Sequence, residues 1–168
     1  MIKSLGAVNS WCGETHIQKA IYLLQSIGRI DLEYEFVLYK HGPFAFDLAT
    51  DIASMRSSHI FEFVFIVPGY GPSVRLTQVG IRILDSVKPF VEPLIPVIRF
   101  ISDWIGPHDV KYLERVATAH YIMQGHPNEE AGMLAARLRA LKPHISEYDS
   151  LTAVDQLEEK LAALETMN

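Results

Sequence analysis

Apolar residues recur every three or four positions between Thr15 and Ile27, which predicts an amphipathic helix. Thr15 stands three residues before Gln18, the spacing of a capping box, so Thr15 is the predicted N-cap and Gly28 the predicted stop. The short aromatic and β-branched stretch from Phe36 to Tyr39 predicts an extended segment that follows this helix.

The residues His41-Gly42-Pro43 predict a tight turn that fixes a second helix, over Phe44 to Arg56, against the first. An almost wholly apolar stretch, Ile60 to Val67, predicts a buried strand, and Ser73 to Leu76 predicts its returning partner. Thr77 then predicts the N-cap of a third helix.

Beyond Pro89 the pattern is helical throughout, with predicted helices over residues 94–104, 109–123, 128–141 and 151–164. The order of elements predicts an α+β fold that is mainly α: a winged-helix-like module with a β-hairpin over residues 1–89, followed by a helical extension over residues 90–168. We expect the extension to pack on the module as one compact unit.

Composition narrows the class of protein. The chain has 168 residues, of which 49% are hydrophobic and 21% charged, values typical of globular domains and not of disordered chains. Its single cysteine, Cys12, fits a reducing compartment, so we expect a cytoplasmic protein. Five charged or proline residues interrupt the longest apolar stretch, Phe90 to Ile105, so we expect no association with a membrane.

The net charge of −5 is unevenly distributed. Residues 1–89 contain eight basic and eight acidic residues, whereas the remainder has seven basic and twelve acidic ones. No stripe of Lys and Arg follows any predicted helix or strand, which disfavours binding to nucleic acid by the chain alone.

Three stretches resemble one protein family. They are Gly13-Glu14-Thr15-His16-Ile17-Gln18-Lys19-Ala20-Ile21-Tyr22-Leu23-Leu24-Gln25, then Tyr39-Lys40-His41-Gly42-Pro43-Phe44-Ala45-Phe46-Asp47-Leu48, and then Arg75-Leu76-Thr77-Gln78-Val79-Gly80-Ile81-Arg82-Ile83-Leu84, which contains a Leu-Thr-x-x-Gly motif. Together they resemble motifs of the Panacea domain group, which includes the SocA-like and YwgA-like proteins, over about residues 13–89. The resemblance implies a small prokaryotic or phage domain that neutralises a toxin encoded beside it, or acts as a proteolytic adaptor, and it implies no enzymatic activity.

The motif residues themselves have two interpretations. Gln18, Lys19 and Tyr22 share one predicted helix and could join His41 in a polar cluster that holds this helix against the Gly42-Pro43 turn. Alternatively, Gln18 serves the helix cap and Tyr22 buries its ring with its hydroxyl satisfied. The first interpretation is functional and the second structural.

Little in the sequence points to catalysis. Cys12 and His16 could be compared with a nucleophile and its base, but no third group orients them. The spacing of His108, His120 and His126 is not that of metal ligands, and no phosphate-binding glycine loop occurs. We therefore expect no enzyme, no metal and no cofactor.

Aromatic residues are the strongest signal for a binding surface. Tyr34, Phe36, Tyr39, Phe44 and Phe46 bracket the His-Gly-Pro turn and are the predicted partner-binding residues. Phe61, Phe63 and Phe65 would line one face of the predicted hairpin, either covered by the helical half or exposed to a partner.

We therefore predict a protein-binding module of the antitoxin or adaptor type, whose partner is a toxin or enzyme encoded nearby. The alternative is a winged-helix transcriptional regulator that contacts DNA through Tyr70, Arg75 and Arg56, and a homodimer is kept open for either. The predicted second helix exposes Asp47 and Asp51, which disfavours the alternative because both would repel phosphate.

Overall fold

The computed structural model describes residues 1–65, 67 and 71–166. In chain order the elements are α1 (Ile2–Ala7), α2 (Glu14–Ser26), β1 (Val37–Tyr39), β2 (Gly42–Phe44), α3 (Phe46–Ser57), β3 (Phe61–Val64), β4 (Ser73–Leu76), α4 (Gln78–Ser86), α5 (Lys88–Val91), a 3-10 turn (Glu92–Leu94), α6 (Ile95–Ile105), α7 (Val110–Gly125), α8 (Ala131–Leu141) and α9 (Glu147–Glu165). The predicted class, α+β and mainly α, is confirmed.

The chain divides into two compact units. Unit 1 comprises residues 1–36 and 45–108, and unit 2 comprises residues 37–44 and 109–168. The short hairpin β1–β2 is therefore inserted in the sequence of unit 1 but belongs to unit 2. The boundary predicted between residues 89 and 90 lies inside unit 1, because α6 packs its apolar face on α2.

Helix α2 lies at the centre of unit 1. Its buried residues include Ile17, Leu23 and Leu24, and the helix packs against α6, which buries Ile101 and Ile105. The predicted N-cap is wrong: Gly13, in extended conformation, is the N-cap, and no side chain caps the helix. Thr15 instead lies within the first turn.

The second hairpin, β3–β4, also belongs to unit 1. Its strands pair antiparallel from Phe61 opposite Leu76 to Val64 opposite Ser73, so the described part of the predicted strand at residues 60–67 is shorter than expected. The predicted strand over Ser73–Leu76 is confirmed. Most of the predicted turn between the strands, including Tyr70, lies outside the described residues.

The start of α4 is fixed on this hairpin. Thr77 is the N-cap, as predicted, and its hydroxyl accepts a hydrogen bond from the Gly80 N–H at 3.2 Å. The same hydroxyl donates to the carbonyl of His59. A Cβ on Gly80 would lie only 2.1 Å from the Ile60 carbonyl oxygen, so no side chain fits there. These contacts explain why the Leu-Thr-x-x-Gly motif has a threonine at position 77 and a glycine at position 80.

Unit 2 is a helical cluster that carries the first hairpin. Helices α7, α8 and α9 pack against one another, and β2 lies on α7. Strands β1 and β2 pair antiparallel, with Val37 opposite Phe44 and Tyr39 opposite Gly42. The sequence predicted an extended segment and a turn here but not β2, and β1 pairs with β2 in a sheet separate from β3–β4. The winged-helix arrangement stays a prediction.

Candidate functional site

A group of buried polar contacts in unit 2 surrounds the side chain of Lys142, directly after α8. Its ammonium donates hydrogen bonds to the carbonyl oxygens of Tyr39 at 3.1 Å and Lys40 at 2.5 Å. It also forms an ion pair with the Glu114 carboxylate at 2.9 Å. Three oxygens therefore surround the ammonium, and two of them belong to the turn of the first hairpin.

Glu114 extends this arrangement from α7. Its side chain is 7% exposed and that of Lys142 is 9% exposed. The second carboxylate oxygen lies 3.4 Å from His144 Nε2 and 3.8 Å from His41 Nδ1. Burial alone would raise the pKa of the Glu114 carboxyl, but the hydrogen bond and charge of Lys142, with smaller effects from His144 and His41, leave this pKa below its ordinary value.

The hairpin turn presents an aromatic side chain to solvent. Gly42 has a φ of 86°, a left-handed conformation that favours glycine, and Pro43 beside it is buried. The Tyr39 side chain is 55% exposed, with its ring centroid 5.6 Å from that of Phe44. The conformation of Gly42 and the hydrogen bond from Lys142 to the Tyr39 carbonyl hold the backbone of Tyr39 in place. We call Tyr39, Lys40, His41 and His144 the hairpin surface.

The predicted polar cluster of α2 takes a different form. The side-chain amide of Gln18 donates to the Ala45 carbonyl and accepts from the Ala45 N–H, both at 3.0 Å, so Gln18 does not serve the cap. Lys19 and Tyr22 are buried, and the Tyr22 ring packs edge-on against Phe36. His41 faces Glu114 in unit 2 instead.

The five predicted partner-binding aromatics differ in exposure. Tyr39 and Phe46 are exposed, Phe46 to 58%, and Tyr34, Phe36 and Phe44 are half-buried. The Tyr34 hydroxyl donates to Asp51 at 2.8 Å. Tyr39 belongs to unit 2 and Phe46 to unit 1.

Arg56 and Arg75, two of the three residues of the alternative DNA-binding surface, lie in unit 1. The Arg56 guanidinium stands 4.4 Å from the centroid of the Phe63 ring, and Arg75 is exposed on β4. Tyr70 lies outside the described residues. Phe61 is buried and Phe65 is 75% exposed, so the phenylalanine face is covered only at one end.

The cysteine considered as a nucleophile is not activated. Burial raises the pKa of the Cys12 thiol to about 11, so it stays protonated at neutral pH. His16 directs its Nε2 to the His108 carbonyl oxygen at 2.9 Å. Across residues 1–65, 67 and 71–166, His, Cys, Asp and Glu side chains form no group able to hold a metal ion.

Comparison of the chain with known protein families and with curated proteins finds no match. The resemblance to the Panacea domain group therefore stays a prediction. None of the helices in the described part of the chain has both the length and the apolar character needed to cross a bilayer.

Sequence reasoning missed Glu114, Lys142 and His144. Lys142 directly follows the predicted helix over residues 128–141 and precedes Pro143, so its sequence context indicates only a helix end. One signal was available, because Glu114 interrupts the apolar stripe that α7 forms with Leu113 and Ala117. A carboxylate in such a stripe requires a buried partner, although its position alone does not identify which one.

Proposed function

We propose that this chain is a non-enzymatic protein-binding module of the antitoxin or adaptor type, and that its partner docks on the hairpin surface. The observation that carries this proposal is the exposed ring of Tyr39 on a turn whose two carbonyls are bound by a buried lysine. Large aromatic side chains held in one position bury area at low entropic cost, which is why they are frequent binding hot spots.

Charge supports the choice of this surface. Lys40 and His41 directly follow Tyr39 in the sequence, and the imidazoles of His41 and His144 lie 3.8 and 3.4 Å from the Glu114 carboxylate. This buried carboxylate is already paired with Lys142. The surface is thus neutral to positive on a chain whose net charge is −5. Such a surface attracts an acidic segment of a partner and selects against basic ones.

Photo-crosslinking tests the proposal in the native host. A benzophenone side chain placed at Tyr39 should yield one discrete adduct with another protein. The same group at Tyr148 of α9, an aromatic that is more exposed than Tyr39 (78% against 55%), is the control and should yield none. Tyr39→Ala should weaken the purified complex by about 1–3 kcal/mol and keep the fold intact, whereas Tyr148→Ala should leave the affinity unchanged.

Two results would contradict the proposal. One is equal crosslinking from positions 39 and 148. The other is sub-micromolar binding of native-promoter duplex DNA at about 150 mM salt, which is tighter than nonspecific binding normally reaches. That second result would support the regulator, acting through Arg75 and Arg56.

A further inference from the structure

A cavity of about 530 Å³ opens in unit 1, remote in sequence from the hairpin surface. Helix α1, the segment from Asn9 to Cys12, strand β4 and Ile81 of α4 line it. This volume lies within the range that small-molecule sites occupy. The cavity is therefore large enough for a small organic ligand.

One wall of this cavity is the outer edge of β4. Thr77 N–H bonds the Ile60 carbonyl, so the alternation of an antiparallel ladder directs the backbone groups of Arg75 toward β3 and those of Val74 and Leu76 away from it. The Val74 N–H accordingly donates to the Cys12 carbonyl at 2.9 Å. The Leu76 N–H points to the same side, where it can donate to a ligand.

The charged side chains of the lining have one sign. Lys3 and Arg75 are basic, and none of the described lining residues is acidic. Neither cation forms an ion pair within the described chain, and Glu62, the partner of Arg75 in the hairpin register, forms none either. Two uncompensated cations beside the outward-pointing Leu76 N–H favour an anionic group.

Apart from Asn9, Ser10 and Ser73, the rest of the lining carries no polar side-chain oxygen or amide, and Trp11 of this lining is held in place by a hydrogen bond. Trp11 donates its indole N–H to the Gly71 carbonyl at 3.2 Å, and Ile81 is partly exposed toward the cavity. Asn9 and Cys12 have φ values of 56° and 48°, which non-glycine residues rarely adopt. Backbone held in such conformations is frequent in ligand sites.

We propose that this cavity binds a small organic anion with an apolar body. The anionic group contacts Lys3, Arg75 and the Leu76 N–H, and the apolar body packs against Trp11 and Ile81. This site is independent of the hairpin surface and goes beyond the proposed protein-binding function.

Binding of three naphthalene probes to the full chain tests the proposal. 2-Naphthoate and 2-naphthyl phosphate present the two forms of anion, and 2-naphthamide is the neutral control. At least one anion should bind and quench Trp11, with the amide at least about tenfold weaker, because hydrogen bonds to charged groups are the stronger ones. Tighter binding of 2-naphthoate would indicate that the site takes a carboxylate, and tighter binding of 2-naphthyl phosphate would indicate that it takes a phosphate.

Substitutions of the two cations that line the cavity test whether the anion binds there. Lys3→Gln and Arg75→Gln alter exposed side chains, so both variants should fold. Each variant should bind the anion about fivefold more weakly or worse. Arg82→Gln, an exposed cation of α4 outside the lining, should change the affinity less than twofold. The proposal is overturned if neither anion binds at millimolar concentration, if the amide binds equally well, or if Arg75→Gln has no effect.

Discussion

The two hairpins of this chain are of similar size but are anchored in opposite ways. β3–β4 is fixed by Thr77 and Gly80, which follow it directly in sequence. β1–β2 is fixed by Lys142, about a hundred residues downstream, through two carbonyls and a buried ion pair. The first anchor is local and uncharged, and the second is distant and ionic.

This difference bears on the proposed docking of a protein partner on the first hairpin. The local anchor uses the Thr77 hydroxyl and the Gly80 N–H in contacts with neighbouring backbone. The distant anchor holds the turn by its backbone carbonyls, and the side chains of Tyr39 and His41 are exposed at the surface. Because the distant anchor includes the ion pair of Lys142 and Glu114, the stability of the first hairpin depends on charge. Substitutions at this pair, or a change of pH, should therefore affect the first hairpin and leave the second intact.

The largest effect is expected from Lys142→Met. This change leaves the Glu114 carboxylate buried without its cation and two carbonyls without a donor, and losing one partner of a buried pair costs about 3–5 kcal/mol. Arg139→Met is the matched control, because its pair with Glu147 is exposed and such pairs contribute about 0–1 kcal/mol. Urea unfolding measures both, and equal losses would contradict a special role for Lys142.

Acid should destabilise unit 2 through His120 of α7. Burial lowers the pKa of its imidazole from 6.5 to about 4. Between pH 6.5 and 4 the imidazole is therefore protonated in the unfolded chain but not in the folded chain. Stability should fall by about 3 kcal/mol as the pH drops from 6.5 to 4, at 1.36 kcal/mol per pKa unit.

The lowered pKa of Glu114 acts in the same direction below its unfolded value of 4.5, where its stabilising contribution is lost. His120→Gln should remove the change between pH 6.5 and 4, and chemical denaturation across this range measures it. An unchanged slope in the variant would show that His120 is not its source. Thr77 and Gly80, which anchor the second hairpin, do not titrate.

Gly80→Ala tests the local anchor. The added methyl group would meet the Ile60 carbonyl, and forcing an atom into packed structure costs about 1–3 kcal/mol. Gly132→Ala in α8 meets no atom within 4 Å and should stabilise the chain by about 0.5–1 kcal/mol, the usual gain at an open helical site. Thermal melting of both variants should show opposite signs, and the same sign in both would contradict the account.

Gly42→Val should have a smaller effect. A β-branched residue resists the φ of 86°, and left-handed backbone costs an ordinary residue about 1–2 kcal/mol. His41→Val, one residue earlier at a position without positive φ, is the control for side-chain change on the turn. If urea unfolding finds Gly42→Val as stable as the parent, the turn conformation is not required.

Local patterns predicted much of the fold. Periodicity predicted helices close to α2, α3, α4, α6, α7, α8 and α9, and the strand Ser73–Leu76 and the Thr77 cap were predicted as they stand. Helix α1 was not predicted. The role of Gln18 was missed because its partner, Ala45, is 27 residues away. Gln25 binds the backbone of Tyr34 in the same way, seven residues further along α2.

The candidate site was predicted only in part. The aromatic turn was identified, since Tyr39, Gly42 and Pro43 are neighbours in sequence. The buried pair beneath it was not, because Glu114 and Lys142 come together only when α7 and α8 pack. Pairing of a buried charge is decided by tertiary structure, and local propensity carries no information about it.

Lys142 holds the first hairpin by its backbone, and amide hydrogen exchange compared between the wild-type chain and Lys142→Met measures this role. Protected amides of Val37–Tyr39, Gly42 and Phe44 should exchange about tenfold faster or more in the variant, while those of Phe61–Val64 stay within about twofold of wild type. Unchanged exchange in the first hairpin, or equal acceleration in both hairpins, would show that Lys142 is not the anchor of the first hairpin.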